Sequence, residues 1–189
     1  MNRLFSFFAA VSAFCFASCA QSAENSASGT QAEHKVLVAY FSATGTTERV
    51  AGMVADAIGG DLYEIQPAVA YTSADLNWHD DHSRSSVEMN DAESRPALGG
   101  APVDTESYDV IFIGYPIWWD QAPRIINTFI ESHDLKGKTV VPFATSGSSG
   151  ISNSVKMLKR TYPGLNWQSG KLLNSASEAS VRSWTASFK

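Results

Sequence analysis

Four hydroxyl side chains and one glycine lie within the loop SATGTT, residues 42–47, directly after the apolar run KVLVAYF. A helical pattern, TTERVAGMVADAIG, begins inside this loop. The first N–H groups of a helix have no partner within the helix, and the helix dipole favours negative charge at that end. Gly45 lets the backbone approach a ligand closely. We therefore expect the loop to bind an anion, most naturally a phosphate group, with hydroxyl donors from Ser42, Thr44, Thr46 and Thr47.

This loop differs from the common nucleotide-binding motifs. A P-loop ends in Gly-Lys-Ser or Gly-Lys-Thr, whereas this loop continues as Thr46, Thr47 and Glu48, and the dinucleotide fingerprint needs three spaced glycines where only Gly45 is present. No Lys or Arg lies within the loop, so neutral donors and a helix end would hold the phosphate. That arrangement suits retention of a cofactor's phosphate monoester better than phosphoryl transfer. An N-capping turn without a ligand is the alternative interpretation.

Two further loops have compositions that suit a flat ligand. GYPIWWDQAP contains the adjacent residues Trp118 and Trp119, which cannot both point into one core, and a planar electron-poor ring is a good stacking partner for an indole. The alternative is that one tryptophan lies in the core and the other at a protein interface. FATSGSSG has little side-chain bulk, so its backbone N–H groups could reach a ligand directly; the alternative is a flexible turn before a helix.

Short apolar segments alternate with amphipathic ones, and these segments must position the three loops. KVLVAYF, DLYEIQ, YDVIFIGYP, KTVVPFATS and KLLNS are predicted strands, with helices between and after them. This alternation predicts an α/β domain with a doubly wound, five-stranded parallel sheet in three layers. Ligands of such folds bind at the carboxyl ends of the strands, so the loops after Phe41, Tyr115 and Thr145 are expected to meet there. The polar segment Tyr71–Gly100 is expected to be an irregular crossover with some helix, forming a flap over one edge of the site.

The residues around the first loop resemble the flavodoxin family. The family pattern of an aromatic, a hydroxyl, a small residue, Thr, Ala and an aliphatic residue is matched here by Tyr40, Ser42, Gly45, Thr47, Ala51 and Val54. Ala39 departs from the pattern, which usually has a larger apolar residue there. The resemblance extends from about Lys35 to the end of the chain. It implies the flavodoxin-like strand order 2-1-3-4-5 and FMN as cofactor.

The resemblance also implies a role in FMN binding for each loop. In the family the second and third loops enclose the isoalloxazine ring, so one wall would be formed by Pro116, Ile117, Trp118 and Trp119, and the other edge by Thr145, Ser146, Gly147 and Gly150. The phosphate loop would comprise Ser42, Ala43, Thr44, Gly45, Thr46 and Thr47.

No catalytic side chain is predicted from the sequence. The pair His79 and His82 in WHDDH lacks a third ligand of clear spacing, so no metal site is predicted.

Residues 1–19 have the three-part pattern of a signal peptide, with Arg3 before the apolar stretch LFSFFAAVSAFCFAS. This stretch ends in FASC, which resembles the lipobox of bacterial lipoproteins except that Phe16 stands where Leu is usual. The pattern predicts lipid attachment at Cys19, and cleavage after Ala20 is the alternative. Residues 20–34 are expected to form a flexible tether before a single domain, residues 35–189. The protein would then be exported to the periplasm or to the outer face of a bacterial membrane, where it would be held by a lipid anchor.

Composition narrows the classes of function. The net charge is −5 and the 14 Lys and Arg residues are scattered, so nucleic-acid binding is not expected. Both cysteines, Cys15 and Cys19, lie in the predicted signal segment, so thiol chemistry is not expected in the domain.

The first hypothesis is an FMN-binding electron-transfer protein whose partner is a redox protein or a quinone. The alternatives are an FMN-dependent NAD(P)H or quinone oxidoreductase and a flavin-free binding module on the same fold.

Overall fold

One parallel sheet organises the computed structural model, which describes residues 34–188. The predictions for the signal peptide, for Cys19 and for the tether up to residue 33 lie outside the described residues. Strands β1 to β6 cover Val36–Tyr40, Asp61–Glu64, Val110–Pro116, Thr139–Thr145, Asn166–Trp167 and Lys171–Leu172. The order across the sheet is β2-β1-β3-β4-β5, with β6 also paired to β4, and all of these pairings are parallel. The predicted fold class and strand order are therefore confirmed.

The fifth position of the sheet is divided between two short strands, where the sequence predicted one. β5 pairs with the beginning of β4, and β6, which lies within the predicted strand KLLNS, pairs with its end. Between them, Gly170 passes so close to the neighbouring helix that a Cβ atom there would lie 2.8 Å from a methyl carbon of Val155. The two-residue strand β5 was missed because so short a strand has no apolar alternation to detect.

Helices cover both faces of the sheet. In the described part of the chain, helices α1 to α5 span Thr46–Ile58, Arg84–Asn90, Arg124–Ser132, Ser152–Thr161 and Glu178–Thr185, and a short 3₁₀ turn follows at Ala186–Phe188. Helices α1 and α5 pack on one face, and α3 and α4 pack on the other. Among residues 34–188, none of the helices has both the length and the apolar character needed to cross a membrane.

The central strands are buried on both faces, which explains their continuous apolar sequences. Successive side chains of a strand point to opposite faces, so Ile111 and Ile113 join the core beside α3 and α4, whereas Phe112 joins the core beside α1 and α5. On that second side, Phe112 meets the rings of Trp184 and Phe188 edge-on, with centroids 5.5 and 5.4 Å away. These two cores hold the strands in register, so their carboxyl ends lie along one edge of the sheet.

The backbone at Gly114, near the end of β3, lies directly against a core side chain. A Cβ atom at this position would lie 2.1 Å from Cζ of Phe143, a fully buried ring on β4. Only glycine fits such a contact without displacing the ring.

Replacing Gly114 by alanine is expected to lower the free energy of unfolding by about 1–3 kcal/mol, because the buried Phe143 ring must move. Gly52→Ala in α1 is the matched control, since nothing lies within 4 Å of its added Cβ. There, alanine should stabilise the helix by roughly 0.5–1 kcal/mol. Urea denaturation followed by circular dichroism measures both, and a Gly114→Ala variant as stable as the parent would contradict the tight contact.

Candidate functional site

The loops after β1, β3 and β4 meet at the carboxyl edge of the sheet and border a cleft of about 910 Å³. This volume is near the upper end of the roughly 300–1,000 Å³ range of small-molecule sites. The crossover between β2 and β3 supplies a further side of the cleft through Leu76, Trp78 and Ser85. The cleft therefore lies where doubly wound folds place their ligands.

Twelve of the fourteen residues that the sequence analysis assigned to FMN binding line this cleft: Ser42, Ala43, Thr44, Thr46, Thr47, Pro116, Ile117, Trp118, Trp119, Thr145, Ser146 and Gly147. Gly45 and Gly150 belong to the same loops but lie outside the lining. Seven further residues line the cleft without having been assigned to binding: Leu76, Trp78, Ser85, Asp120, Ser148, Ser149 and Asn174. Ser148, Ser149 and Asp120 adjoin assigned residues in sequence. Leu76, Trp78 and Ser85 belong to the segment Tyr71–Gly100, which was expected to cover one edge of the site, and Asn174 comes from a distant segment without a local signal.

The first loop has an uncapped helix end and an unpaired hydroxyl. Gly45 precedes α1 with φ +82°, a left-handed conformation, and no side chain caps the first turn of the helix. The Oγ atom of Ser42 is buried and has no hydrogen-bond partner among the described residues. A buried hydroxyl left unpaired costs about 1–3 kcal/mol, so such groups are uncommon without a ligand or water beside them. This donor set fits a phosphate group, which accepts hydrogen bonds from hydroxyl and N–H groups.

A hydrogen bond between two threonines joins the first loop to the third. Thr47 Oγ1 and Thr145 Oγ1 lie 2.8 Å apart, and both residues are buried. One hydroxyl of this pair donates to the other, and the accepting hydroxyl keeps its own hydrogen for a further partner. The other two hydroxyls, those of Thr44 and Thr46, belong to exposed residues on the cleft surface.

The second loop contains a tight two-residue turn in an unfavourable conformation. Trp118 and Gln121 exchange both backbone hydrogen bonds, at 3.0 and 2.9 Å, around Trp119 and Asp120. These two central residues have φ values of 47° and 61°, a region that favours glycine and asparagine and is costly for tryptophan. Asn153 of α4 fastens the turn by donating to the Asp120 carbonyl at 3.0 Å. Backbone strain of this kind is typical of functional sites.

The two adjacent tryptophans have different surroundings. The ring of Trp118 meets Phe41 and Tyr71 edge-on, with centroids 5.5 and 5.4 Å away, so it is partly held in the core. Trp119 is 42% exposed. Both line the cleft. The indole of Trp119 is thus the one that is free to stack on a ligand, while Trp118 is a fixed part of the wall.

Tyr71 connects this aromatic cluster to the crossover segment. Its ring lies under the guanidinium of Arg84, at 3.9 Å, and its hydroxyl donates to the carboxylate of Glu88. Burial and the hydrogen bond to Glu88 raise the pKa of Tyr71 far above its usual value, so the phenol stays protonated. Arg84 also pairs with Glu88 at 2.7 Å and donates to the Val69 carbonyl. These contacts hold the beginning of the crossover against the site.

Arg124 fastens α2 of the crossover to the beginning of α3. Its buried guanidinium donates to the carbonyl groups of Glu88, Met89 and Asp91 at the carboxyl end of α2, at 3.3, 2.9 and 3.0 Å. Burial lowers the pKa of Arg124, yet it remains a cation at neutral pH. This contact was not predicted from the sequence. A cation at the amino end of α3 is disfavoured by the helix dipole, and that unfavourable position is the signal that could have pointed to it.

The third loop is held in place by Asn174. The N–H group of Ser146 donates to Asn174 Oδ1 and the side-chain amide of Asn174 donates back to the Ser146 carbonyl, both at 2.7 Å. Within the loop, the Ser146 hydroxyl accepts from the N–H groups of Ser148 and Ser149, at 3.2 and 2.8 Å. The N–H group of Ser146, which the sequence analysis offered to a ligand, therefore bonds within the protein.

The lining of the cleft contains little acid–base chemistry of its own. Asp120 is its only ionisable side chain, and the lining includes neither a histidine nor a cysteine. In residues 34–188 there is no cluster of three or more metal-ligating side chains. A nucleophile paired with a base is thus missing from the described lining. The arrangement suits binding of an anionic group at one end and a flat ring along the tryptophan wall.

Comparison with solved structures places this architecture among flavoproteins. A protein from Bacteroides eggerthii, provisionally named a flavoprotein, is 63% identical, with a TM-score of 0.79, and the match covers 82% of this chain and 97% of that one. A protein from Bacteroides uniformis with the same provisional name is also 63% identical, with a TM-score of 0.79 and coverage of 81% and 98%. A flavoprotein from Lactobacillus acidophilus, crystallised with FMN, is 22% identical and shares the fold, with a TM-score of 0.65 and coverage of 80% and 99%.

Sequence comparison assigns the family. No curated protein matches the chain significantly. A sequence model described as flavodoxin matches residues 35–188, which is nearly all of the chain after the predicted tether. Together with the sheet order and the position of the cleft, this match shows that the chain belongs to the flavodoxin family.

Proposed function

We propose that the protein binds FMN in the cleft and serves as an electron-transfer protein. The observation that carries this proposal is the unpaired, buried hydroxyl of Ser42 beside the uncapped end of α1. A phosphate monoester supplies the acceptor atoms that both groups lack. The FMN-bound relative from Lactobacillus acidophilus and the two Bacteroides relatives named as flavoproteins support the choice of a flavin.

The proposed phosphate site comprises the hydroxyls and N–H groups of residues 42–47. Hydrogen bonds to a charged group contribute about 1.5–3 kcal/mol each, so three or four of them are enough for micromolar binding after the cost of association. Trp118 and Trp119 are the proposed wall for the flavin ring, with the third loop, fastened by Asn174, along its other edge. FMN supplies the one- and two-electron chemistry that the side chains lack.

The side chains of the protein would bind the flavin, orient its ring and tune its reduction potential. The aromatic cluster of Phe41, Tyr71 and Trp118 fixes the wall before any ligand arrives, which reduces the entropy lost on binding. Asp120 places a carboxylate beside that wall. A nearby negative charge disfavours added negative charge on a bound ring and so lowers its reduction potential.

We propose export and membrane tethering from the amino-terminal sequence alone. Lipid attachment at Cys19 followed by a flexible tether would hold the domain near a membrane, and cleavage after Ala20 would release it instead. Outside the cytoplasm the protein would have no direct access to NADPH. Its electrons would then come from a membrane partner or from a quinone.

An FMN-dependent oxidoreductase is the second candidate. The observation that favours it is the additional side of the cleft formed by Leu76, Trp78 and Ser85. An enzyme needs such a wall to enclose its substrate beside the flavin, whereas an electron carrier does not. Steady-state turnover with a reduced nicotinamide and a quinone distinguishes an enzyme from a carrier. The third hypothesis, a flavin-free binding module, requires that FMN does not bind.

Ser42→Ala tests the proposed phosphate site. We expect FMN binding to weaken by about 10- to 100-fold, because one hydrogen bond to a charged group is lost. We also expect the protein without FMN to become more stable or stay equally stable, because the unpaired hydroxyl is removed. Fluorescence titration with FMN and urea denaturation measure the two effects.

Ser154→Ala is the matched control for that substitution. Its buried hydroxyl donates to the Ile151 carbonyl at 2.9 Å and lies 3.1 Å from the Tyr115 hydroxyl, so its loss should destabilise the protein and leave FMN affinity unchanged. Equal FMN affinity in the parent and the Ser42→Ala variant would contradict the assigned phosphate site. Failure of the parent to bind FMN would leave the flavin-free module as the working hypothesis.

Asp120→Asn is expected to raise the two-electron midpoint potential of bound FMN by up to about 20 mV, because a solvated unit charge interacts by about 1 kcal/mol at 4 Å. Asp120 is exposed, so the shift should shrink as salt is added. Asparagine tolerates the left-handed backbone at this position. Spectroelectrochemical titration measures the shift, with Glu106→Gln, at the opposite end of β3, as the control. A potential that does not move at low ionic strength would refute the assigned tuning role.

A further inference from the structure

Helix α2 of the crossover contributes a buried hydroxyl to the cleft. Ser85 borders the cleft although it is only 1% exposed. Its N–H group donates to the Asp75 carbonyl at 3.0 Å. Its hydroxyl has one hydrogen-bonding contact among residues 34–188, with the Ser83 Oγ atom at 3.5 Å. Hydrogen bonds between hydroxyl groups are normally about 2.5–3.0 Å long, so this contact is at most a weak one.

The Ser83 hydroxyl is already engaged with Ser86. It donates to the Ser86 Oγ atom at 2.9 Å and accepts from the Ser86 N–H group at 3.3 Å. A serine hydroxyl has one hydrogen and two lone pairs. Ser83 therefore has no hydrogen left to donate to Ser85, and the lone pairs of Ser85 have no donor within the described part of the chain. A buried hydroxyl in this position is costly unless a group in the cleft pairs with it.

The contacts of α2 place Ser85 near the junction of the first two loops. Glu88 lies three positions after Ser85, on the same face of the helix, and accepts from the Tyr71 hydroxyl. The Tyr71 ring packs against Phe41 and Trp118, with centroids 5.7 and 5.4 Å away. Phe41 directly precedes the proposed phosphate loop, and Trp118 belongs to the proposed ring wall. This face of α2 is thus joined to both parts of the proposed FMN site.

We propose that the Ser85 hydroxyl hydrogen-bonds to the ribityl chain of bound FMN, so that α2 is a fourth element of the cofactor site. This inference rests on the proposed function, because it adds a residue to that same site. In the proposed site, residues 42–47 hold the phosphate, and the second and third loops enclose the ring. The ribityl chain, which joins the phosphate to the ring, is the part of FMN that these loops leave without an assigned partner. Its hydroxyls both donate and accept, as a serine hydroxyl does.

An FMN analogue with a phosphopentyl chain tests this contact, because it keeps the ring and the phosphate and lacks the hydroxyls of the ribityl chain. Ser85→Ala should weaken FMN binding by about 3- to 10-fold, the loss expected for one hydrogen bond between neutral groups, and should leave the affinity for the analogue unchanged. Ser42→Ala should weaken the binding of both ligands, because both carry the phosphate. Fluorescence titration measures each affinity.

Ser86→Ala is the matched control on the same helix. Ser86 is also buried, at 2% exposure, but its hydroxyl accepts from Ser83 and it lies outside the cleft lining. Its replacement should lower the stability measured by urea denaturation and leave the affinities for both ligands unchanged. Ser85→Ala should instead be as stable as the parent without FMN, or more stable, because a poorly paired hydroxyl is removed.

Each outcome of the titrations supports or overturns the inference. FMN binding that is weakened in Ser85→Ala, with analogue binding unchanged, would support it. Equal FMN affinity in Ser85→Ala and the parent would overturn it and leave the proposed function intact. An equal loss for FMN and the analogue would overturn the ribityl contact, because Ser85 would then act on the ring, on the phosphate or through the fold.

The parent protein provides a test that does not depend on the folding of any variant. An analogue that binds to the parent as tightly as FMN would overturn the inference, because the hydroxyls of the ribityl chain would then contribute nothing to binding. A parent protein that does not bind FMN would overturn the proposed function and this inference with it.

Discussion

The left-handed backbone of Gly45 is the constraint on which the rest of the site depends. The chain must leave β1 at Tyr40 and enter α1 at Thr46, and the φ of +82° between them makes that turn possible. Since α1 packs into the core through Val50 and Val54, its direction is fixed, and its uncapped first turn must lie at the carboxyl edge of the sheet. The Thr47–Thr145 hydrogen bond then ties this turn to the end of β4. The anion site is thus a consequence of the way the first strand and helix are joined.

The other walls of the cleft are held by polar contacts between distant segments. Asn174 fixes the third loop, Asn153 fixes the strained turn at Asp120, and Arg124 fixes the crossover. Each of these side chains bonds to backbone groups, and the carbonyl groups that Arg124 contacts would otherwise be unsatisfied in a buried or partly buried position. The strain at Trp119 is tolerated because its surroundings determine the turn. A site that is organised in this way before binding loses less free energy when a ligand is ordered in it.

The sequence predicted most of what is local and little of what is long-range. The strand, loop and helix from Lys35 to Ile58 follow from apolar periodicity and from one glycine, and the strand order followed once the family pattern was recognised. The contact of Arg124 with the end of α2 could not be predicted, because it joins positions more than thirty residues apart through carbonyl groups. The contact of Asn174 with Ser146, which lies 28 positions away, was missed for a similar reason. The division of the last strand at Gly170 depends on packing against Val155, which periodicity does not reveal.

The most direct test of the account compares the affinities of FMN and riboflavin by fluorescence titration of the purified protein. The two ligands share the flavin ring and differ in the phosphate group. If residues 42–47 hold that phosphate through three or four hydrogen bonds, FMN should bind at least about 1,000-fold more tightly than riboflavin, because each such bond to a charged group contributes about 1.5–3 kcal/mol. Equal affinities would show that the loop holds no phosphate and would contradict the central claim.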